Sequence, residues 1–184
     1  MKRKTFLASV LLLSLVGVVY AGGGFKKIRE LLIGFEEVPA VSTVAEGEFR
    51  ATISQDETQI QYELKYADLE GSVQQAHIHL GQKGVNGGIS VFLCTNLGNG
   101  PAGTQPCPPS PATITGTITA ADVSPNIPAT AAARAQGLDT GEFGELLRAV
   151  RAGATYVNVH STKFPGGEIR SQINPNQGNH NGHK

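Results

Sequence analysis

From Phe49 onward, apolar and polar residues alternate along the chain with a period of two. Phe49, Ala51 and Ile53 are separated by Arg50 and Thr52. After the polar stretch Ser54-Gln55-Asp56-Glu57-Thr58, Ile60, Tyr62, Leu64 and Tyr66 alternate with Gln61, Glu63 and Lys65. Successive strand side chains point to opposite faces, so these runs predict two half-buried strands joined by a hairpin. Further runs predict strands over 73–80, 89–93, 113–119, 155–161 and 168–173. Residues 95–111 are rich in Gly, Pro and Asn and predict a long irregular loop. One helix is predicted over 142–151, where Phe143, Leu146, Leu147 and Val150 recur at helical spacing, with Thr140 placed to cap it and Gly153 to end it. Ala120-Ala121-Asp122 suggests a single helical turn before Pro125. Seven or so short strands with turn signals between them predict an all-β fold: a Greek-key-like antiparallel β-sandwich or barrel with one short helix.

The first residues follow a different logic. Lys2, Arg3 and Lys4 precede an apolar run from Phe6 to Val19, and Val19-Tyr20-Ala21 places small residues at −3 and −1 of a peptidase site. That layout predicts a signal peptide over 1–21 and hence a secreted, periplasmic or cell-surface protein. The run is about 14 residues, short of the roughly 20 that a membrane-crossing helix needs. Residues 22–27, opening with three glycines, read as a leader, 28–173 as one domain, and the Asn/Gly/His-rich 174–184 as a disordered tail. Basic and acidic residues balance at 15 each, with no dense basic patch, which argues against a nucleic-acid partner. Cys94 and Cys107 are the only cysteines. In an exported chain they predict one disulfide pinning the long loop, stabilising by roughly 3 kcal/mol, with a two-cysteine metal site or a free thiol pair as the alternative.

The same alternation assigns faces to the chemistry-bearing residues. If Ala76, Ile78 and Leu80 face the core, His77 and His79 share the opposite, polar face. If Val157 and Val159 face the core, Tyr156, Asn158 and His160 face outward. Ile169 and Ile173 likewise send Glu168, Arg170 and Gln172 outward. Should the strand carrying His77 and His79 pair with the strand carrying His160, three imidazoles converge. Three neutral imidazoles with an open position suit copper or zinc. The rival reading is ordinary polar surface, with Glu168 and Arg170 in a surface ion pair worth under about 1 kcal/mol. His180 and His183 in the tail are weaker metal candidates. Ser161 follows His160 but points to the other face, and neither a nucleophile–base pair nor a carboxylate pair suggests catalysis.

Several segments together resemble the CHRD (chordin) domain family. They are Leu32-Ile33-Gly34-Phe35-Glu36-Glu37-Val38-Pro39, Ala76-His77-Ile78-His79-Leu80-Gly81 with Gly84-Val85-Asn86-Gly87, Tyr156-Val157-Asn158-Val159-His160, and Pro165-Gly166-Gly167-Glu168-Ile169-Arg170-Ser171-Gln172. The chain departs from the pattern at Ala40, where a second proline is common, and at Ser171, where Gly is common. The resemblance implies an immunoglobulin-like β-barrel in an extracellular setting. A more distant likeness, to Cu/Zn superoxide dismutase, implies a copper site at His77, His79 and His160. That likeness lacks the His-rich loop and Asp of a zinc site and a fourth copper histidine. Two functions follow as expectations. One is an exported domain holding copper or zinc through His77, His79 and His160, with Asn158, Glu168 and Arg170 supporting them. The other is a non-enzymatic extracellular module that binds a protein or polysaccharide through the Cys94–Cys107 loop.

Overall fold

The computed structural model describes residues 27–174. The signal segment, the leader and the tail lie outside the described residues, save for Lys27 and Asn174 at their edges. Eight strands and two short α-helices make up the fold. The strands are β1 (Lys27–Ile33), β2 (Glu46–Ile53), β3 (Ile60–Ala67), β4 (Val73–Leu80), β5 (Gly88–Thr95), β6 (Ala112–Ile118), β7 (Thr155–Ser161) and β8 (Ile169–Ile173). The helices are α1 (Ala131–Ala135) and α2 (Phe143–Arg151).

The predicted hairpin is β2–β3, with Phe49 opposite Leu64 and Ile53 opposite Ile60. Its turn is held by Asp56, whose carboxylate accepts from the Ser54 and Thr58 hydroxyls, while Glu57 takes a left-handed φ of 59°. All neighbouring strands are antiparallel, in the order β5-β4-β7-β8-β1-β2-β3-β6. The β1–β8 junction is one residue pair long, Ile33 with Arg170. The strands therefore form two half-sheets, which face each other across a shared core. Phe49, Leu64, Ile114 and Ile118 come from one half, and Ala76, Ile78, Val157, Val159 and Ile169 from the other.

The open ends, β5 and β6, are drawn together by side chains. Gln105 donates its amide to Leu93 O at 3.1 Å and to Thr115 O at 3.1 Å, and the Tyr62 hydroxyl donates to Leu93 O at 3.0 Å. Covering edge donors and acceptors in this way removes a template for unwanted strand pairing. The result is a nearly closed, barrel-like sandwich. Gln105 is held in place by the loop that the Cys94–Cys107 disulfide closes.

Strand β1 was not expected from the sequence, and both helices differ from it in detail. The helix over 143–151 buries Phe143, Leu146, Leu147 and Val150 as expected, and Gly153 follows it with φ 66°. Thr140 does not cap it. Gly141 (φ 85°) turns the chain first, and the Thr140 hydroxyl donates to Ser124 O instead. Helix α1, only five residues of Ala and Arg, carries no apolar periodicity and was not expected. It packs on β5, where Ala133 N lies 2.1 Å from where a Cβ on Gly88 would sit.

Candidate metal centre

Strand pairing brings the three histidines together. β4 pairs with β7 so that His77 lies opposite Asn158, His79 opposite Tyr156, and Gln75 opposite His160. His160 is therefore the diagonal neighbour of His77 on the same face, within the reach of a long side chain. The β4–β5 ladder shifts register between Ala76 and His77 and again between Ile78 and His79. Such irregularities re-aim side chains, and here both flank the metal-ligand candidates. Ring centroids lie 5.3 Å apart for His77–His79, 5.1 Å for His77–His160 and 6.2 Å for His79–His160. One ring nitrogen from each lies within 4.8 Å of the others. Around an ion with bonds near 2.1 Å these separations would be about 3.5 Å.

The rings sit on the face opposite Ala76, Ile78, Val157 and Val159, as alternation predicts, but that face is not open to water. His77 is 0% exposed, His79 7% and His160 6%. Segments Val85-Asn86-Gly87 and Pro165 bond two of the rings, and Glu37-Val38 joins this cover through Asn86 and Asn158. His79 Nδ1 donates to Gly87 O at 2.9 Å, and His160 Nδ1 donates to Pro165 O at 2.9 Å. The Asn86 amide donates to Val38 O at 2.8 Å and ties two of the covering segments together. The rival surface reading of Glu168 and Arg170 fails for the same reason, since both are buried.

These bonds also decide which nitrogens are available. A neutral imidazole has one N–H, and in His79 and His160 a backbone carbonyl takes it at Nδ1. Nε2 of each then carries the lone pair, the arrangement typical of metal-ligating histidine. His79 Nε2 and both nitrogens of His77 are buried with no hydrogen-bond partner. His160 Nε2 lies 3.1 Å from Asn158 Oδ1, and half a turn of that amide puts its NH2 there instead. Burial holds all three rings neutral: it pushes His79 down to about 4, His77 well below its ordinary value, and His160 down against the Pro165 hydrogen bond. Three neutral rings, each with a nitrogen within 4.8 Å of the others, could hold a metal ion.

The surrounding residues divide unevenly. Tyr156 stacks on His79 at 4.6 Å and 3°, and Phe92 meets His77 edge-on at 4.5 Å. The Arg170 guanidinium lies 3.3 Å over the Tyr156 ring and donates to Val85 O and Asn86 Oδ1. Asn158 and Arg170 thus border the cluster. Glu168 turns away: its Oε1 accepts from the Thr43 hydroxyl and Glu70 N–H, and its other oxygen has no partner. Sequence reasoning missed Glu37. It is buried against Gly167, and its carboxyl is pushed up to about 7 by burial, with Arg170 and Asn158 opposing. Both Glu37 and Asn86 sit in segments that carry the family resemblance, which is the signal that could have found them.

A family model described as CHRD domain matches residues 29–173. The chain belongs to the CHRD domain family. No curated protein and no solved structure matches the chain, so the likeness to superoxide dismutase rests on the histidine pattern alone. Among the described residues no second metal-type cluster joins the three histidines, and no helix is long and apolar enough to cross a membrane. The disulfide and CHRD membership are consistent with an extracellular location.

Proposed function

We propose that this CHRD domain is an exported metal-handling protein that holds one copper or zinc ion through His77, His79 and His160. The observation that carries this reading is the set of three buried ring nitrogens with no hydrogen-bond partner, two on His77 and one on His79. Each buried, unsatisfied polar group costs about 1–3 kcal/mol, and a fold that retains several in one place has a use for them. A bound ion would supply Lewis acidity or, for copper, one-electron chemistry. The enclosure of the rings favours holding the ion over open catalysis at it. Asn158 and Arg170 are assigned to positioning, Asn158 against His160 and Arg170 by clamping the covering segment at Val85 and Asn86. Glu168 holds Thr43 and the Glu70 backbone in place.

Calorimetric titration of the mature protein with Zn(II), and with copper, tests this. One ion per chain is expected for the wild type and none at that site for His77→Ala/His79→Ala. Equal binding by both proteins would defeat the proposal.

A second reading, a module that docks a protein or polysaccharide, is favoured by one surface feature. Leu31 (63% exposed), Ile33 (42%) and Phe35 (70%) follow one another along the outer side of β1 and the turn after it. The Cys94–Cys107 loop is a poorer docking element than its length suggests, because Asn96 ties it to Val73 O and Cys107 O. Replacing Leu31 and Phe35 with Ser would abolish partner capture and leave metal content unchanged on this reading.

A further inference from the structure

We infer, resting on the metal-handling reading above, that the three-histidine site is built for monovalent copper, Cu(I), in preference to Zn(II) or Cu(II). Charge and coordination number both favour the monovalent ion. The penalty for taking an ion out of water rises steeply with its charge, so a buried divalent ion is held best where an anion, a side chain or a bound hydroxide, offsets part of that charge. Here all three ligands are neutral. No Asp, Glu or Cys among the described residues joins the cluster. The electrostatic partners of the rings are one another and Arg170, and none is a carboxylate.

Arg170 strengthens the case. Its guanidinium is 1% exposed, stacks on Tyr156, and bonds only neutral oxygens, with no ion pair among the described residues. Two carboxylates act on Arg170, Glu37 and Glu36, the second already paired with Lys83, and neither acts on the rings. A protonated Glu37 leaves the guanidinium charge standing beside the metal. An ionised Glu37 only cancels that guanidinium. In neither state does the site supply the net negative charge that a buried dication needs.

Coordination points the same way. Structural Zn(II) is almost always four-coordinate. All three rings are buried, Phe92 and Tyr156 pack on His77 and His79, and no fourth His, Cys, Asp or Glu joins them among the described residues. A closed-shell Cu(I) ion is content with three nitrogens in a plane and is less strongly hydrated than a dication.

The test is chelator competition, run anaerobically with excess ascorbate for Cu(I) and without reductant for Zn(II) and Cu(II). A chromophoric Cu(I) chelator reports Cu(I) affinity, and chromophoric Zn(II) and Cu(II) chelators report the others, all on the full mature protein. Cu(I) is expected to bind at least about a thousandfold more tightly than Zn(II) and Cu(II), the affinity equivalent of sparing one further buried charge. For copper, a thousandfold ratio raises the Cu(II)/Cu(I) potential by about 180 mV over the aqueous couple, at 59 mV per decade. A smaller ratio overturns the inference while leaving the metal site standing. Failure of every metal to bind overturns the site itself. Arg170→Gln, which removes the neighbouring positive charge, is expected to narrow the Cu(I)-to-Zn(II) ratio by about tenfold or more. An unchanged ratio in a folded variant refutes the charge argument, and the wild-type comparison stands alone should that variant not fold.

Discussion

Replacing His77 with leucine should have opposite effects on stability in the metal-free and metal-loaded protein. His77 is fully buried, neither of its nitrogens has a partner, and its ring touches Phe92 at 4.5 Å. In the metal-free protein each orphaned nitrogen carries a penalty of about 1–3 kcal/mol, which leucine removes. Against that stand the lost ring–ring contact, about 0.5–1.5 kcal/mol, and an imperfect fit of up to about 1.5 kcal/mol. At mid-range values, about 4 kcal/mol gained from the two nitrogens against about 2 kcal/mol lost, the net change is about 2 kcal/mol in favour of the variant. For a protein of this size each kcal/mol shifts Tm by roughly 2–4 °C. Metal at a hundred times Kd stabilises the wild type by about 2.7 kcal/mol and leaves the variant untouched. Thermal unfolding followed by circular dichroism, first with chelator and then with copper, reads both. The variant should melt at or above the wild type in chelator and several degrees below it with copper. A variant that loses more than about 2 kcal/mol in chelator, or that gains as much from copper as the wild type, refutes the reasoning.

Glu37→Gln tests the buried carboxyl. Its folded pKa of about 7 lies above the ordinary 4.5, so its contribution is fully present below pH 4.5 and lost as pH rises through 7. Glutamine cannot ionise, so the stability of the variant relative to wild type should grow by up to about 3 kcal/mol between pH 4.5 and 8 in urea unfolding; a flat difference contradicts the assignment. Gly167 adopts φ 130°, and a Cβ there would stand 2.3 Å from Glu37 Oε1. Gly167→Ala should destabilise by about 1–3 kcal/mol from the backbone alone and should loosen the metal site, measurable as weaker binding; a neutral substitution would show that Glu37 is not held as described. Reducing Cys94–Cys107, with its sequence separation of 13, should lower stability by about 3 kcal/mol, read as a fall in the urea midpoint with dithiothreitol; no change would mean that the loop is held by its hydrogen bonds alone.

Alternation made most of the fold legible. It located β3, β4, β6, β7 and β8 to within a residue and the last two thirds of β2, and it put His77, His79 and His160 on the face away from the valines and isoleucines. Strand β1 escaped because Leu31-Leu32-Ile33 is a continuous apolar run. Pairing of β4 with β7 could not be read, since it depends on a crossover from β5 through β6 and both helices before the chain returns. Nor could the covering of the histidine face. Polar outward residues suggest water, but Glu37, Asn86 and Pro165 arrive from loops whose path no periodicity encodes. A site foreseen as three surface rings is instead a closed pocket, and the enclosure is what makes the unpartnered nitrogens informative.

The most direct test of the account is anomalous diffraction at the copper edge from crystals of the copper-loaded protein. The account predicts one peak between β4 and β7, about 2.1 Å from a ring nitrogen of each of His77, His79 and His160. Copper found only elsewhere, at His180 and His183 for example, with the three rings still empty, would contradict it.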